Sequence, residues 1–361
     1  MAGLYVHIPF CKRRCLYCDF FSTTLLERRE EYVEALLREI NERKDEAGEA
    51  IKTVYLGGGT PSTLDVRDVA RILEAVGATE AEEVTMEVNP GDVTKEYLQG
   101  LRAAGINRLS MGIQSYQDTL LQLIGRRHDA AQAINAVRMA QEAGFDNISI
   151  DLMYALPTQT MEQWETDIET ALRLNVQHIS SYGLIYEEGT KLTRMLESGE
   201  IESIDEDTEN AMYDRLCAQL KEAGFVHYEV SNFALPGYEA KHNSSYWVGT
   251  PYVGVGAGAH SYIRNERSWN PDDLDAYIKG IQNGMLERES ETLSEIDLYN
   301  ERVMLGLRTR HGISDALPEQ IKSASDRFVA EKLLRRTEEG RLVATQKGLH
   351  ILNRIIEELM I

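Results

Sequence analysis

The sequence predicts an α/β fold: a partial (β/α)6 barrel of parallel strands with a small winged-helix-like α/β module at its C-terminal end. Three observations lead there. An amphipathic helix closed by Gly and followed at once by a β-rich run recurs along the chain. Other apolar runs of strand length each precede a helical stretch. Polar or otherwise unusual residues fall at the C-terminal ends of five successive strands. With 361 residues, 43% of them hydrophobic, the chain can build one large core and an appendage.

The segments "LRAAGINRLSMGIQS", "AQEAGFDNISIDLMY" and "LKEAGFVHYEVSNF" are three copies of one αβ unit. In each, Gly105, Gly144 or Gly224 can adopt the left-handed conformation that ends a helix, and β-branched residues follow as a strand. Further strands are expected at 4–8, 52–58, 83–89 and 178–185. Helices are expected at 30–43, with Val33, Leu36, Leu37 and Ile40 on one face, and at 161–173, with Trp164, Ile168, Ala171 and Leu172. Six βα units fit either an open doubly wound sheet or a full or partial barrel, and both place their sites at the strand C-termini. Cys11 to Cys18 follow the first strand, a Gly triplet ends the second, and Glu87, Gln114 and Asp151 close the next three, which selects the barrel.

After about residue 270 the pattern changes to helices and a hairpin over 333–345 that turns at Glu338 to Gly340. The expected organisation is therefore a barrel over 1–190, an extension over 191–270 and a winged-helix-like domain over 271–361.

Lys and Arg total 38 against 59 Asp and Glu, a net charge of −21 that repels polyanions and disfavours nucleic acid as a partner. Residues 290–361 are nearly neutral, but no recognition helix there carries a basic face. No apolar run approaches the roughly 18 residues of a membrane span. The start "MAGLYVHIPF" reaches Cys11 and "KRR" before a signal-peptide core develops, so a cytoplasmic location is expected.

Three of the four cysteines lie within eight residues, at CxxxCxxC, which suits a metal in a reducing compartment better than a disulfide framework. Cys217 shares a helical face with Met212, Leu216 and Leu220 and reads as a buried or half-buried thiol. Three thiolates can hold three irons of a cubane cluster and leave the fourth to a non-protein ligand. Structural zinc would need a fourth protein ligand, such as His7. Lys12, Arg13 and Arg14 either offset charge at such a site or are solvated loop residues. "VYLGGGTPS" places Gly57, Gly58, Gly59 and Thr60 after a strand, where bare backbone can approach a ligand.

"CKRRCLYC" resembles the cluster motif of the radical S-adenosylmethionine (SAM) superfamily, whose barrel is TIM-like. In that superfamily SAM chelates the open iron of a [4Fe-4S] cluster, and the reduced cluster cleaves it to methionine and a 5′-deoxyadenosyl radical. "MEVNPG", "SMGIQS", "IGRRH" and "DLMYALP" follow in the order and spacing of the oxygen-independent coproporphyrinogen III oxidase family. The resemblance implies Cys11, Cys15 and Cys18 as cluster ligands. It implies Tyr5, Tyr17, Gly58, Gly59, Thr60, Glu87, Gln114, Arg126 and Asp151 as the SAM site, with Ile185 meeting adenine through its backbone. Carboxylates and an amide suit ribose hydroxyls or an α-amine, and an Arg suits a carboxylate.

The oxidases of that family carry a further cysteine two positions after the third, and a long N-terminal extension. This chain has Phe20 there and begins four residues before Tyr5. It has instead "KHNSSYW", which resembles the HNxxYW motif of the family's heme-chaperone branch. That likeness implies heme contact by His242, Asn243, Tyr246 and Trp247, with His260 of "YVGVGAGAHSY" as a second iron-ligand candidate. The alternating glycines of that run read as a strand packed closely against another. The implied function is heme delivery to membrane hemoproteins such as respiratory enzymes, with heme and a recipient hemoprotein as partners and a homodimer as one form of the chain. The alternative is oxidative decarboxylation of coproporphyrinogen III in porphyrin biosynthesis.

Overall fold

The structure, a computed structural model, describes residues 2–77 and 80–361. Six strands, β1 (Ala2–Ile8), β2 (Ile51–Gly58), β3 (Glu83–Val88), β4 (Arg108–Gln114), β5 (Ile148–Tyr154) and β6 (His178–Gly183), are hydrogen-bonded in chain order and all parallel. The register is continuous, as in Val6 opposite Leu56 and Met86 opposite Leu109. These strands are buried on both faces, and for that reason they read as nearly unbroken apolar runs.

The sheet grows beyond both ends of this set. Two antiparallel strands, β7 (Val226–Glu229) and β8 (Asn232–Ala234), add beside β6. Beside β1 lies β9 (Tyr252–Val255), parallel to it, followed by the antiparallel β10 (His260–Ile263), β11 (Glu266–Trp269) and β12 (Glu289–Thr292). Among the described residues twelve strands thus run from β12 to β7 without closing, and the barrel is a partial one.

The helices between strands begin and end where local chemistry dictates. Asp129 and Gln132, and Thr160 and Gln163, form reciprocal capping boxes at the starts of Ala130–Glu142 and Met161–Arg173. Gly105, Gly144 and Gly224, the markers of the repeated αβ unit, have φ of 111°, 88° and 87° just past their helices. Trp164, fully buried, donates its indole N–H to the Met212 carbonyl at 2.9 Å and ties the helix Met161–Arg173 to Glu206–Glu222.

The glycines of 252–262 do two jobs. A side chain on Gly254 would collide with the His260 backbone, as expected of closely packed strands, whereas Gly256 and Gly258 turn the chain between β9 and β10 with φ of 101° and 71°. The helix Leu274–Gln282 joins the barrel core through Tyr277 and Ile278, and β12 pairs in the large sheet. A second core, with Leu307, Leu342 and Ile355, starts only at Val303. Packing thus groups residues 271–293 with the barrel rather than with the C-terminal unit. That unit pairs β13 (Ile313–Ser314) and β14 (Leu334–Arg336) with β15 (Arg341–Ala344), and the hairpin turns where expected. After it the chain forms two short helices, Gln346–Leu349 and Leu352–Leu359.

Candidate functional site

The cysteine loop leaves β1 and is fastened at several points. Cys11 N–H donates to the Thr23 carbonyl at 2.8 Å, and Leu16 N–H to the Ile124 carbonyl at 3.1 Å. Lys12 pairs with Asp92 at 2.8 Å, Arg13 donates to the Gly125 and Arg126 carbonyls at 2.7 and 2.9 Å, and Arg14 reaches the Phe20 carbonyl at 3.4 Å. The basic triplet therefore ties the loop down, a role neither charge compensation nor solvation anticipates.

Cys11 is buried, Cys15 and Cys18 are half-buried, and all three are free thiols. Among the described residues no three His, Cys, Asp or Glu side chains close around a point that could hold a single metal ion. The donor set nevertheless fits a cubane cluster, because each thiolate there binds its own iron and the sulfurs stand further apart than ligands of one ion. Burial pushes the Cys11 thiol up and that of Cys18 up to about 11, so both would lose a proton on meeting a cationic iron. Thr60 Oγ1 lies 3.3 Å from Cys11 Sγ, and Arg126 Nη1 donates to Cys15 Sγ at 3.4 Å.

The glycine turn lies directly against this loop. A Cβ on Gly59 would stand 2.8 Å from the Pro9 carbonyl carbon and 3.1 Å from Cys11 Sγ, and one on Gly58 2.6 Å from the His7 ring. The glycines thus make room for the loop itself, besides leaving backbone open to a ligand. Gly58 N–H and the Tyr55 hydroxyl donate to the Glu87 carboxylate at 3.2 and 2.8 Å. Desolvation pushes Glu87 up to about 7 and Asp151, which accepts from Ser110 at 3.4 Å, up to about 6.

Gln114 ends β4 with φ of 70°, buried, at a break in the β4–β5 register. Arg126 donates to the Gly112 carbonyl and leaves its buried Nε without a partner among the described residues, a donor that a carboxylate could fill. Tyr5 hydrogen-bonds His7 at 3.0 Å, and Tyr17 packs with Leu16 on a small apolar cluster that includes Ile124 and Leu192. Ile185, two residues past the end of β6, is 67% exposed. The chemistry of these side chains fits SAM, and the cluster would supply an electron to its sulfonium.

The HNxxYW helix, Lys241–Trp247, begins at the other end of the barrel, by the first residues of β1 to β3. Glu83, which opens β3, accepts from the N–H groups of Lys241 and His242 at 2.8 and 2.9 Å, and so caps the helix with a carboxylate. His242 is wholly buried, stacked on Tyr55 with ring centroids 5.3 Å apart. Its Nδ1 lies 2.9 Å from Thr53 Oγ1 and its Nε2 2.7 Å from the Tyr246 hydroxyl. Burial pushes its imidazole down to about 3. With both nitrogens engaged, His242 has none free for iron in this conformation. It holds the hydroxyl of Tyr246, which faces the cavity on the open flank of the sheet. Arg108 and Glu83, both buried beside this helix, and Thr53 carry no motif and escape sequence reasoning.

Tyr246 and Trp247 face a cavity of about 1360 Å³ on the open flank of the sheet. It reaches from Tyr5, His7, Phe20 and Phe21 beside the cysteine loop, past β10, to the wall of the C-terminal unit at 298–317. Asn243 and His242 do not line it, whereas His260 does.

A radical SAM superfamily model matches residues 5–171. The heme chaperone HemW of Lactococcus lactis is 35% identical over 99% of this chain and 97% of its own length, and that of Bacillus subtilis 36% over 87% and 85%. This chain belongs to the HemW family of the radical SAM superfamily. The fold agrees: a structure of the Escherichia coli coproporphyrinogen III oxidase HemN, described as a radical SAM enzyme, superposes with a TM-score of 0.84 over 99% of this chain and 90% of that one, at 24% identity. Membership in the superfamily implies a [4Fe-4S] cluster and SAM. No helix among the described residues is long and apolar enough to cross a membrane.

Proposed function

We propose that this protein is a cytoplasmic heme chaperone. It carries a [4Fe-4S] cluster on Cys11, Cys15 and Cys18 and SAM among the residues named above. It takes heme into the flank cavity and hands it to a membrane hemoprotein. The cavity is the observation that carries this reading. It exceeds the roughly 300–1,000 Å³ of ordinary ligand sites, borders the cysteine loop at one end, and presents aromatic side chains on its walls. The relatives named heme chaperones, similar over nearly the whole chain, support the same assignment.

Phe20, 65% exposed on the cavity wall, stands where the related oxidases have a cysteine, and it replaces a thiol by a surface suited to a flat apolar ligand. The test is anaerobic heme titration of the cluster-reconstituted chain, with coproporphyrinogen turnover followed on the same preparation. Stoichiometric heme binding, transfer to an apo-hemoprotein and no vinyl product are expected. Vinyl formation with SAM consumption and no heme binding would overturn the reading in favour of the oxidase.

A further inference from the structure

Four histidines deserve comparison as iron ligands. His242 is spent on Thr53 and Tyr246, and His7 lies 3.0 Å from the Tyr5 hydroxyl and 3.1 Å from the Phe21 carbonyl. His260 and His311 line the cavity and are exposed, on opposite walls. His260 is built for the task. Its ring stacks on Trp269, its directly opposite partner on β11, at 5.6 Å and 22°, which fixes the plane of the imidazole while leaving its nitrogens without a hydrogen bond among the described residues.

The residues that follow on the same strand extend the pattern. Alternation in a β-strand puts His260 and Tyr262 on one face, Arg264 follows in the turn after it, and all three line the cavity. Arg264, held by a turn with φ of 63°, has no ion-pair partner among the described residues. Neither has Arg302, on the facing wall from the C-terminal unit. A cavity with two free guanidinium groups favours an occupant that brings carboxylates. Two strongly exposed apolar residues, Phe20 at 65% and Val248 at 74%, stand on the same walls and favour a flat apolar body.

We propose that β10 is the strand that reads heme: His260 is the axial ligand of its iron, Tyr262 packs on the macrocycle, and Arg264, with Arg302 opposite, pairs with its propionates. This rests on the reading of the flank cavity as the heme site. It adds which residues hold the iron and which hold the acids. A neutral imidazole is the ligating form.

Ferric heme and metal-free protoporphyrin, which has the same carboxylates and no iron, separate the two roles. Each is titrated anaerobically into the reconstituted full chain, followed by Soret absorption and electron paramagnetic resonance of the ferric iron. His260→Ala should weaken heme about tenfold or more and abolish the signal of imidazole-ligated iron. It should leave protoporphyrin affinity, SAM affinity and iron content unchanged. Arg264→Glu with Arg302→Glu should weaken both porphyrins, and His311→Ala should leave the heme spectrum intact. Heme binding by His260→Ala with the wild-type spectrum and affinity would overturn the proposal and leave the chaperone reading standing, as would loss of the signal in His311→Ala alone. A wild-type chain that binds neither porphyrin would overturn both.

Discussion

Removing the Glu39 carboxylate should loosen the wall that carries β10. Glu39 lies on the helix Arg29–Arg43, wholly buried, and accepts four hydrogen bonds of 2.7 Å: from Arg43 Nη1, Gly256 N–H, Asn270 Nδ2 and the Tyr277 hydroxyl. It thereby joins that helix, the turn between β9 and β10 and the helix Leu274–Gln282. Truncating one partner of a buried ion pair costs about 3–5 kcal/mol, because the other charge stays buried. Here Arg43 keeps Glu46 at 2.9 Å and the Gly254 carbonyl at 2.8 Å, which places Glu39→Ala near the lower end, about 3 kcal/mol. Urea unfolding followed by circular dichroism measures it. Amide exchange at Gly256 should quicken in parallel, and Glu39→Met with Arg43→Met should recover part of the loss by removing both charges. A cost below about 1 kcal/mol, or strict additivity of Glu39→Ala and Arg43→Ala, would refute the reasoning.

Gly59→Ala should lower iron and sulfide content after reconstitution, because its methyl would displace Pro9 or Cys11, while overpacking costs the fold only about 1–3 kcal/mol; full cluster content in this variant counts against the packing role of the turn. Glu229, buried and pushed up to about 7 from 4.5, holds its proton more tightly in the folded chain. Its contribution is therefore complete below about pH 4.5 and lost as pH rises to about 7, some 3 kcal/mol in all. Glu229→Gln should flatten the fall in urea midpoint between pH 5 and 8, and an unchanged slope would rule this out. Trp164→Ala should cost about 3–5 kcal/mol by leaving a cavity beneath the helix Glu206–Glu222, read by thermal unfolding.

The barrel was legible because its βα units each write a full local signal. The closing Gly and the apolar strand after it lie within a few residues of one another, so Gly105, Gly144 and Gly224 could be placed without tertiary knowledge. The cysteines were legible for the same reason: one short loop holds all three. Glu39 was not, since a Glu among Val33, Leu36 and Ile40 reads as the solvated side of an amphipathic helix. Only the later addition of β9 and the helix Leu274–Gln282 buries it. The residues 271–293 mislead likewise, because a strand such as "ESET" has four exposed side chains and owes its place to pairing with β11 alone.

The two motifs sit at opposite ends of the parallel strands, which spacing along the chain cannot reveal. Cys11 to Cys18 follow the end of β1, whereas His242 packs beside Gly3 and Thr53, near the starts of β1 and β2. What joins them is β1 itself. Tyr5 and His7 project from it into the flank cavity, with the cysteine loop above and Tyr246 and Trp247 below. His242 therefore acts on that cavity through the Tyr246 hydroxyl rather than by entering it. A His, a Tyr four residues on and a Trp next to it suit a helix that buries its first turn in the barrel and presents its last turn to a ligand. The spacing that looked like a ligand set is also the spacing of a positioned helix.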